Sequence, residues 1–154
     1  ASPVPIAVGE LTASLADAAR LVTAGGVDLL RCHLSAIGGL TPGRKLADLC
    51  EIFGVQTAWH APADVSPIGA AVNLALDLTS PAFGIQEGHV YPDLVHEIFP
   101  GTPVLARGYA TVSDRPGWGI EVDEELAAAH PPVFFGHERW AAQVRALDGS
   151  IGAP

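Results

Sequence analysis

Several features are scarce in these 154 residues: no methionine at all, two cysteines, and only 8 basic side chains against 17 acidic ones. Each scarcity excludes something. The formal charge of −9 repels phosphate backbones and anionic membrane surfaces, so neither nucleic acid nor a membrane is an expected partner. Cys32 and Cys50 lie in apolar segments without CxxC or Cys/His spacing, which argues against zinc and for buried free thiols. No apolar run of about 18 residues and no basic segment ahead of an apolar stretch occurs, so neither a membrane helix nor a signal peptide is expected, and a cytoplasmic location is. The glycines form neither GxGxxG nor a P-loop, and no serine sits in a G-x-S-x-G elbow. Without methionine, and with the strand-like Pro5-Ile6-Ala7-Val8 so near its start, the chain reads either as one that has lost an initiator or as a fragment.

Charged residues make up only 16% and apolar residues 49%, the balance of a chain that folds around a core. Three helices announce themselves by apolar spacing that agrees with start and stop residues. Leu11 to Ala24 carries Leu15, Ala18, Ala19 and Val22 on one face and closes at Gly25-Gly26. The second opens with Thr41 as N-cap and Pro42 as first helical residue, and stops at Gly54. The third opens at Ser66-Pro67 and ends at Ser80-Pro81. Short apolar runs, Ile6 to Gly9, Val27 to Leu30, Val55 to Trp59 and Phe83 to Gln86, alternate with the helices and predict strands buried on both faces.

The order βαβαβαβ predicts a parallel α/β sheet with right-handed crossovers. About four βα units make half of a (β/α) barrel, whose complete form needs about 250 residues. The expected organisation is a single partial barrel domain over 1–154, with βα units in 1–90. A loop-rich C-terminal extension follows in 91–154, punctuated by Pro and Gly around one short acidic helix near Asp123 to His130.

In such folds chemistry gathers where the strands end. The four predicted strands run into Glu10, Arg31, His60 and Glu87, and Asp64 follows His60 just ahead of a helix start. Alone, each has a plainer reading. Glu10 suits a first-turn acid favoured by the helix dipole by about 0.3 to 1 kcal/mol. Arg31 and Glu87 suit solvated surface positions, His60 a structural histidine, and Asp64 a turn or cap. Two acids, a guanidinium and an imidazole at four successive strand ends favour a shared functional mouth. His89, His96, His130 and His137 fall in or beside the tail and receive no ligand role.

The strings Val8-Gly9-Glu10, LLRCHLSAIGGLT from Leu29, WHAPADVSP from Trp59 and FGIQE ending at Glu87 resemble the C-terminal half of an enolase-superfamily sugar-acid dehydratase, nearest the mannonate dehydratases. The likeness continues from Arg115 to Glu124 and reaches Leu147-Asp148-Gly149. It implies a Mg2+-dependent hydro-lyase that converts an aldonate, D-mannonate, to a 2-keto-3-deoxy acid. A gluconate or other aldonate dehydratase is the alternative, and a noncatalytic barrel fragment a third reading. By resemblance Glu10 is a magnesium ligand, and Glu10, Arg31, His60, Asp64 and Glu87 surround the sugar acid. Relatives of the mandelate racemase type place an aspartate where Arg31 stands and so charge the histidine as a base. With Arg31 there, His60, the catalytic candidate of this chain, is expected to hydrogen-bond substrate rather than abstract its proton. The remaining metal ligands, and the base and acid, belong to earlier strands, so pairing with a missing N-terminal half or a homo-oligomer is expected.

Overall fold

The chain enters its first strand, β1 (Ala7–Val8), and its first helix, α1 (Leu15–Thr23), through a cap built by two side chains. Ser14 Oγ accepts from the Asp17 N–H at 3.1 Å, and the Ser14 hydroxyl donates to the Asp17 carboxylate at 2.8 Å. This cap places the helix start four residues beyond the predicted Leu11. The computed structural model describes residues 2–131, so His137 and Leu147-Asp148-Gly149 lie outside the described residues. Its contacts divide the chain into two compact units, Ala1–Asp123 and Glu124–Pro154.

In the first unit, β2 (Leu29–Leu30), α2 (Leu40–Phe53), β3 (Gln56–Thr57) and α3 (Pro67–Leu78) follow. The three strands pair in parallel in the order β1-β2-β3. The predicted fourth strand is reduced to a parallel bridge between Thr57 and Phe83, held by Thr57 N–H to Ala82 O at 2.8 Å and Gly84 N–H to Thr57 O at 3.0 Å. Alternation of strand and helix thus builds the α/β half-barrel arrangement, with shorter strands than the apolar runs imply.

Ser66 caps α3 as expected, its Oγ accepting from the Gly69 N–H at 3.2 Å with Pro67 in the first turn. Gly54 ends α2 in the left-handed conformation at φ 68°. The predicted start of α2 is corrected. Gly39, not Thr41, is the N-cap, and Leu40 is already helical. Gly38 and Gly39 hold φ of 104° and 95°, a reversal that side chains resist, so the helix begins as soon as the glycines end. Pro42 then falls within the first turn, where its missing N–H has no helical partner to lose.

The core joins the sheet to the helices: Val22 of α1, Leu30 and Cys32 of the second strand and its extension, Leu46 and Cys50 of α2, Trp59, and Leu76 of α3 are all 2% exposed or less. Removing each larger apolar side chain from water contributes roughly 1.5 to 3 kcal/mol. The expectation that every strand is buried on both faces fails at β1, where Ile6 and Val8 are 38% and 40% exposed. Among the described residues this strand pairs on one side only.

Residues 93–111 hold more regular structure than their proline and glycine content predicts. Residues 93–111 carry α4 (Asp93–Ile98) and an antiparallel hairpin of β4 (Val104–Ala106) and β5 (Tyr109–Thr111). Arg107 and Gly108, at φ 54° and 81°, make the two-residue turn whose twist suits a hairpin. Arg-Gly is an unusual dipeptide for that turn, which is why the strands escaped notice. Tyr91 ties the segment after Glu87 to the loop after β3, its hydroxyl donating to Val65 O at 2.8 Å. In the second unit, α5 (Glu124–Ala129) is the predicted acidic helix. No helix among the described residues is long and apolar enough to cross a membrane.

Candidate active site

The strand ends are brought together by backbone pairing. Arg31 N–H donates to Val8 O at 2.7 Å, and His60 N–H donates to Cys32 O at 2.9 Å, so each of these side chains leaves from a residue locked to the neighbouring strand. Gly9 brings Glu10 to the same place. A β-carbon on Gly9 would lie 2.9 Å from Cys32 Sγ and 3.3 Å from the Arg31 carbonyl carbon, and φ is 130°, so only glycine lets the β1 end press against the β2 end.

Arg31 is the centre of the resulting cluster. Its Nη1 donates to Glu10 Oε2, and its Nη2 donates to both Glu87 oxygens, at 3.0 and 2.9 Å. Glu87 Oε2 also accepts from His60 Nδ1 at 2.7 Å and from the Ala61 backbone N–H at 3.0 Å. His60 Nε2 stands 3.5 Å from Glu10 Oε1. Exposure of these side chains grades outward from His60 at 10% through Arg31 at 27% and Glu87 at 35% to Glu10 at 51%.

Burial alone pushes the Glu87 carboxyl upward, but the Ala61 N–H, His60 and Arg31 outweigh it and hold the carboxyl below its usual range. Arg31 shows the converse: burial lowers it, while hydrogen bonds and charge from Glu10 and Glu87 raise it further. Glu87 is therefore an ionised acceptor at neutral pH, and the proton between it and His60 sits on Nδ1. That leaves Nε2 as the second polar atom of the ring, on the side of Glu10. The sequence reading weighed His60 only against Arg31, whereas the carboxylate that orients it comes from the next strand end.

Asp64 stands apart from this network. It is exposed, hydrogen-bonds to none of the four among the described residues, and lines an adjoining cavity of about 440 Å³ together with His60. Sequence reasoning missed three participants. The Ala61 N–H carried no side-chain signal. His33, two residues past Arg31, meets the His60 ring edge to face with centroids 5.7 Å apart. Asn73 belongs to the buried face of α3 at 3% exposure, where an amide looked like an ordinary helix residue. Among the described residues no three His, Cys, Asp or Glu side chains form a group able to hold a metal ion.

Residues 1–126 match the family described as Enolase C-terminal domain-like. A D-galactonate dehydratase family member from Catenulispora acidiphila is 61% identical over 154 residues, all of this chain and 36% of that protein. A second member of that family, from Pantoea ananatis, is 46% identical over 99% of this chain and 36% of its own length. The chain thus spans about a third of the length of the curated relatives it matches. Among solved structures, an enolase from Pantoea ananatis with bound D-gluconate and Mg superposes with a TM-score of 0.87 at 46% identity, over 99% of this chain and 36% of that one. A mandelate racemase/muconate lactonizing enzyme from a Jannaschia species gives 0.77 at 28% identity, over 86% and 33%. With a family match over most of its length and charged side chains converging at its parallel strand ends, the chain belongs to the Enolase C-terminal domain-like family.

Proposed function

We propose that this chain is the C-terminal part of the barrel of a Mg2+-dependent acid-sugar dehydratase, a hydro-lyase acting on an aldonate. The observation that carries the reading is the cluster in which Arg31 is held between Glu10 and Glu87 beside an oriented His60. Surface ion pairs rarely converge so many groups on one point, and a substrate with a carboxylate and several hydroxyls needs this mixture of donors and acceptors.

The overall change is loss of water: the proton on the carbon beside the carboxylate leaves, the hydroxyl on the next carbon departs with it, and the enol product rearranges to a 2-keto-3-deoxy acid. A hard divalent cation supplies charge that offsets the negative charge developing on the substrate carboxylate. Glu10 suits such an ion, being a half-exposed carboxylate at a strand end, and supplies one oxygen ligand of the several required. Further ligands, and the proton-transfer groups, come from residues beyond these. The partner in this reading is the remainder of the barrel, in the same polypeptide or another, and the open edge at β1 suits that pairing.

Arg31 and Glu87 position the acid. The guanidinium attracts the anion and the paired carboxylates keep the fork in place. His60, with its Nδ1 proton committed to Glu87, offers Nε2 to a substrate hydroxyl, and Asp64 accepts from another. Mannonate is the substrate favoured by the likeness of the motifs. Gluconate, which differs from it only in configuration beside the carboxylate, is the second reading, favoured by the D-gluconate bound to the Pantoea neighbour.

A chimera tests this: the matching third of the Catenulispora relative is replaced by this chain and assayed with D-mannonate, D-gluconate and D-galactonate. Mg2+-dependent formation of a 2-keto-3-deoxy acid is expected from the chimera and none from the 154-residue chain alone, because one carboxylate does not retain the ion. A folded chimera inert toward all three acids would reject the reading.

A further inference from the structure

Beside the charged cluster lies the 440 Å³ cavity between the loops that follow β2 and β3, within the size range of small-molecule sites. Its walls combine apolar residues such as Val72 with an unusual set of polar groups: His33, Ser35, His60, Asp64 and Asn73. Asn73 is 3% exposed, lines the cavity from α3, and has no hydrogen-bond partner for its side-chain amide among the described residues. Its amide is left open to the cavity, where the polar groups of a ligand can pair with it.

His33 lines the same cavity and is only partly buried. Its Nδ1 is fixed by Ser35 Oγ at 2.7 Å, while its Nε2 has no partner among the described residues. Its ring meets His60 edge to face with centroids 5.7 Å apart. His60 is therefore a shared wall, bound to Glu87 through Nδ1 and bordering the cavity. Asp64 adds an exposed acceptor at the rim.

We propose that this cavity is a specificity subsite for the hydroxylated tail of the acid sugar, with Asn73 and His33 as its polar readers. The proposal rests on the acid-sugar reading: the carboxylate end lies at the Arg31 cluster, and the tail passes His60 into the cavity. The chemistry matches, since an amide offers both donor and acceptor, an imidazole nitrogen offers one of either, and a polyol chain pairs with both. Acids too short to reach past His60 leave these groups unsatisfied, which makes the cavity a ruler of chain length.

The test uses the chimera that restores the rest of the barrel, isotope-labelled, in Mg2+ buffer, titrated separately with D-gluconate and with glycerate, which keeps the carboxylate and first two hydroxyl-bearing carbons but lacks the tail. Gluconate is expected to shift the Asn73 side-chain NH2 and His33 ring signals along with those of Arg31 and His60, while glycerate shifts only the latter pair. His33→Ala is expected to weaken gluconate about tenfold and glycerate not at all. If both acids shift Arg31 and His60 and neither shifts Asn73 or His33, the subsite is overturned and the acid-sugar reading stands. If neither acid shifts Arg31 or His60, that reading falls and the subsite with it.

Discussion

His60 Nδ1 donates to Glu87 Oε2 at 2.7 Å across two neighbouring strand ends, 27 residues apart in the chain. The bond makes a carboxylate, and not the adjacent guanidinium, the group that sets the ring's orientation and tautomer. Glu87 is in turn pinned by Arg31 and by the Ala61 N–H, so the imidazole is positioned by a preorganised anion.

Glu87→Gln is therefore expected to lower the proton occupancy of His60 Nδ1, because a neutral amide no longer rewards the Nδ1 proton. Long-range nitrogen–proton NMR of the ring reads that occupancy directly. A ring that keeps its Nδ1–H tautomer in the variant would show that the charge on Glu87 is not what selects it.

Within a complete barrel, Glu10→Gln and His60→Asn should separate. Glu10→Gln removes a charged oxygen ligand and abolishes Mg2+ binding and turnover. His60→Asn removes one hydrogen bond to the substrate, about 1 to 3 kcal/mol, and leaves the metal in place. Calorimetric titration of Mg2+ into both variants decides it, and a His60→Asn protein that loses the ion as fully as Glu10→Gln would misplace the ligand.

Asp77 is a carboxyl on α3, 7% exposed, whose two oxygens have no hydrogen-bond partner among the described residues, and burial pushes it up to about 7. The folded state then holds this proton more tightly than the unfolded state, whose carboxyl titrates near its ordinary value. Stability falls as pH rises through the interval from about 4 to about 7, by at most roughly 4 kcal/mol for a shift of this size. Asp77→Asn should flatten this dependence and stabilise the chain at pH 8. Urea denaturation of both proteins at pH 5 and pH 8 measures it, and equal pH slopes would refute the account.

Gly101 carries φ 97°, and a β-carbon there would lie 2.1 Å from the carbonyl oxygen of Gly119. Backbone cannot yield as a side chain does, so Gly101→Ala should destabilise the chain by about 2 kcal/mol or more. The midpoint of urea denaturation reports this. A midpoint within error of the parent would mean the two loop segments separate freely.

The strand-end residues were legible because alternating apolar runs and capped helices imply parallel strands, and such strands present their ends to one pocket. Ser66-Pro67 and Gly54 worked as signals since their effects are local: a hydroxyl reaching an N–H three residues on, and a residue tolerant of left-handed angles. Thr41 misled because two positive-φ glycines ahead of it had already begun the turn. The hairpin around Arg107-Gly108 was hidden because its turn uses a residue with little preference for the conformation.

The amino-acid sequence by itself determined the alternation of strand and helix, the four strand-end side chains, and the acidic character of the chain, all of which follow from local periodicity and composition. Only the tertiary structure decided that Glu87 turns His60, that Arg31 bridges two carboxylates, that β1 stays half exposed, and that Asn73 faces a cavity without a partner. These depend on which backbones lie side by side and how closely they approach. A contact across 27 or 56 residues leaves no periodic trace in either segment, because its geometry exists only once the sheet has formed.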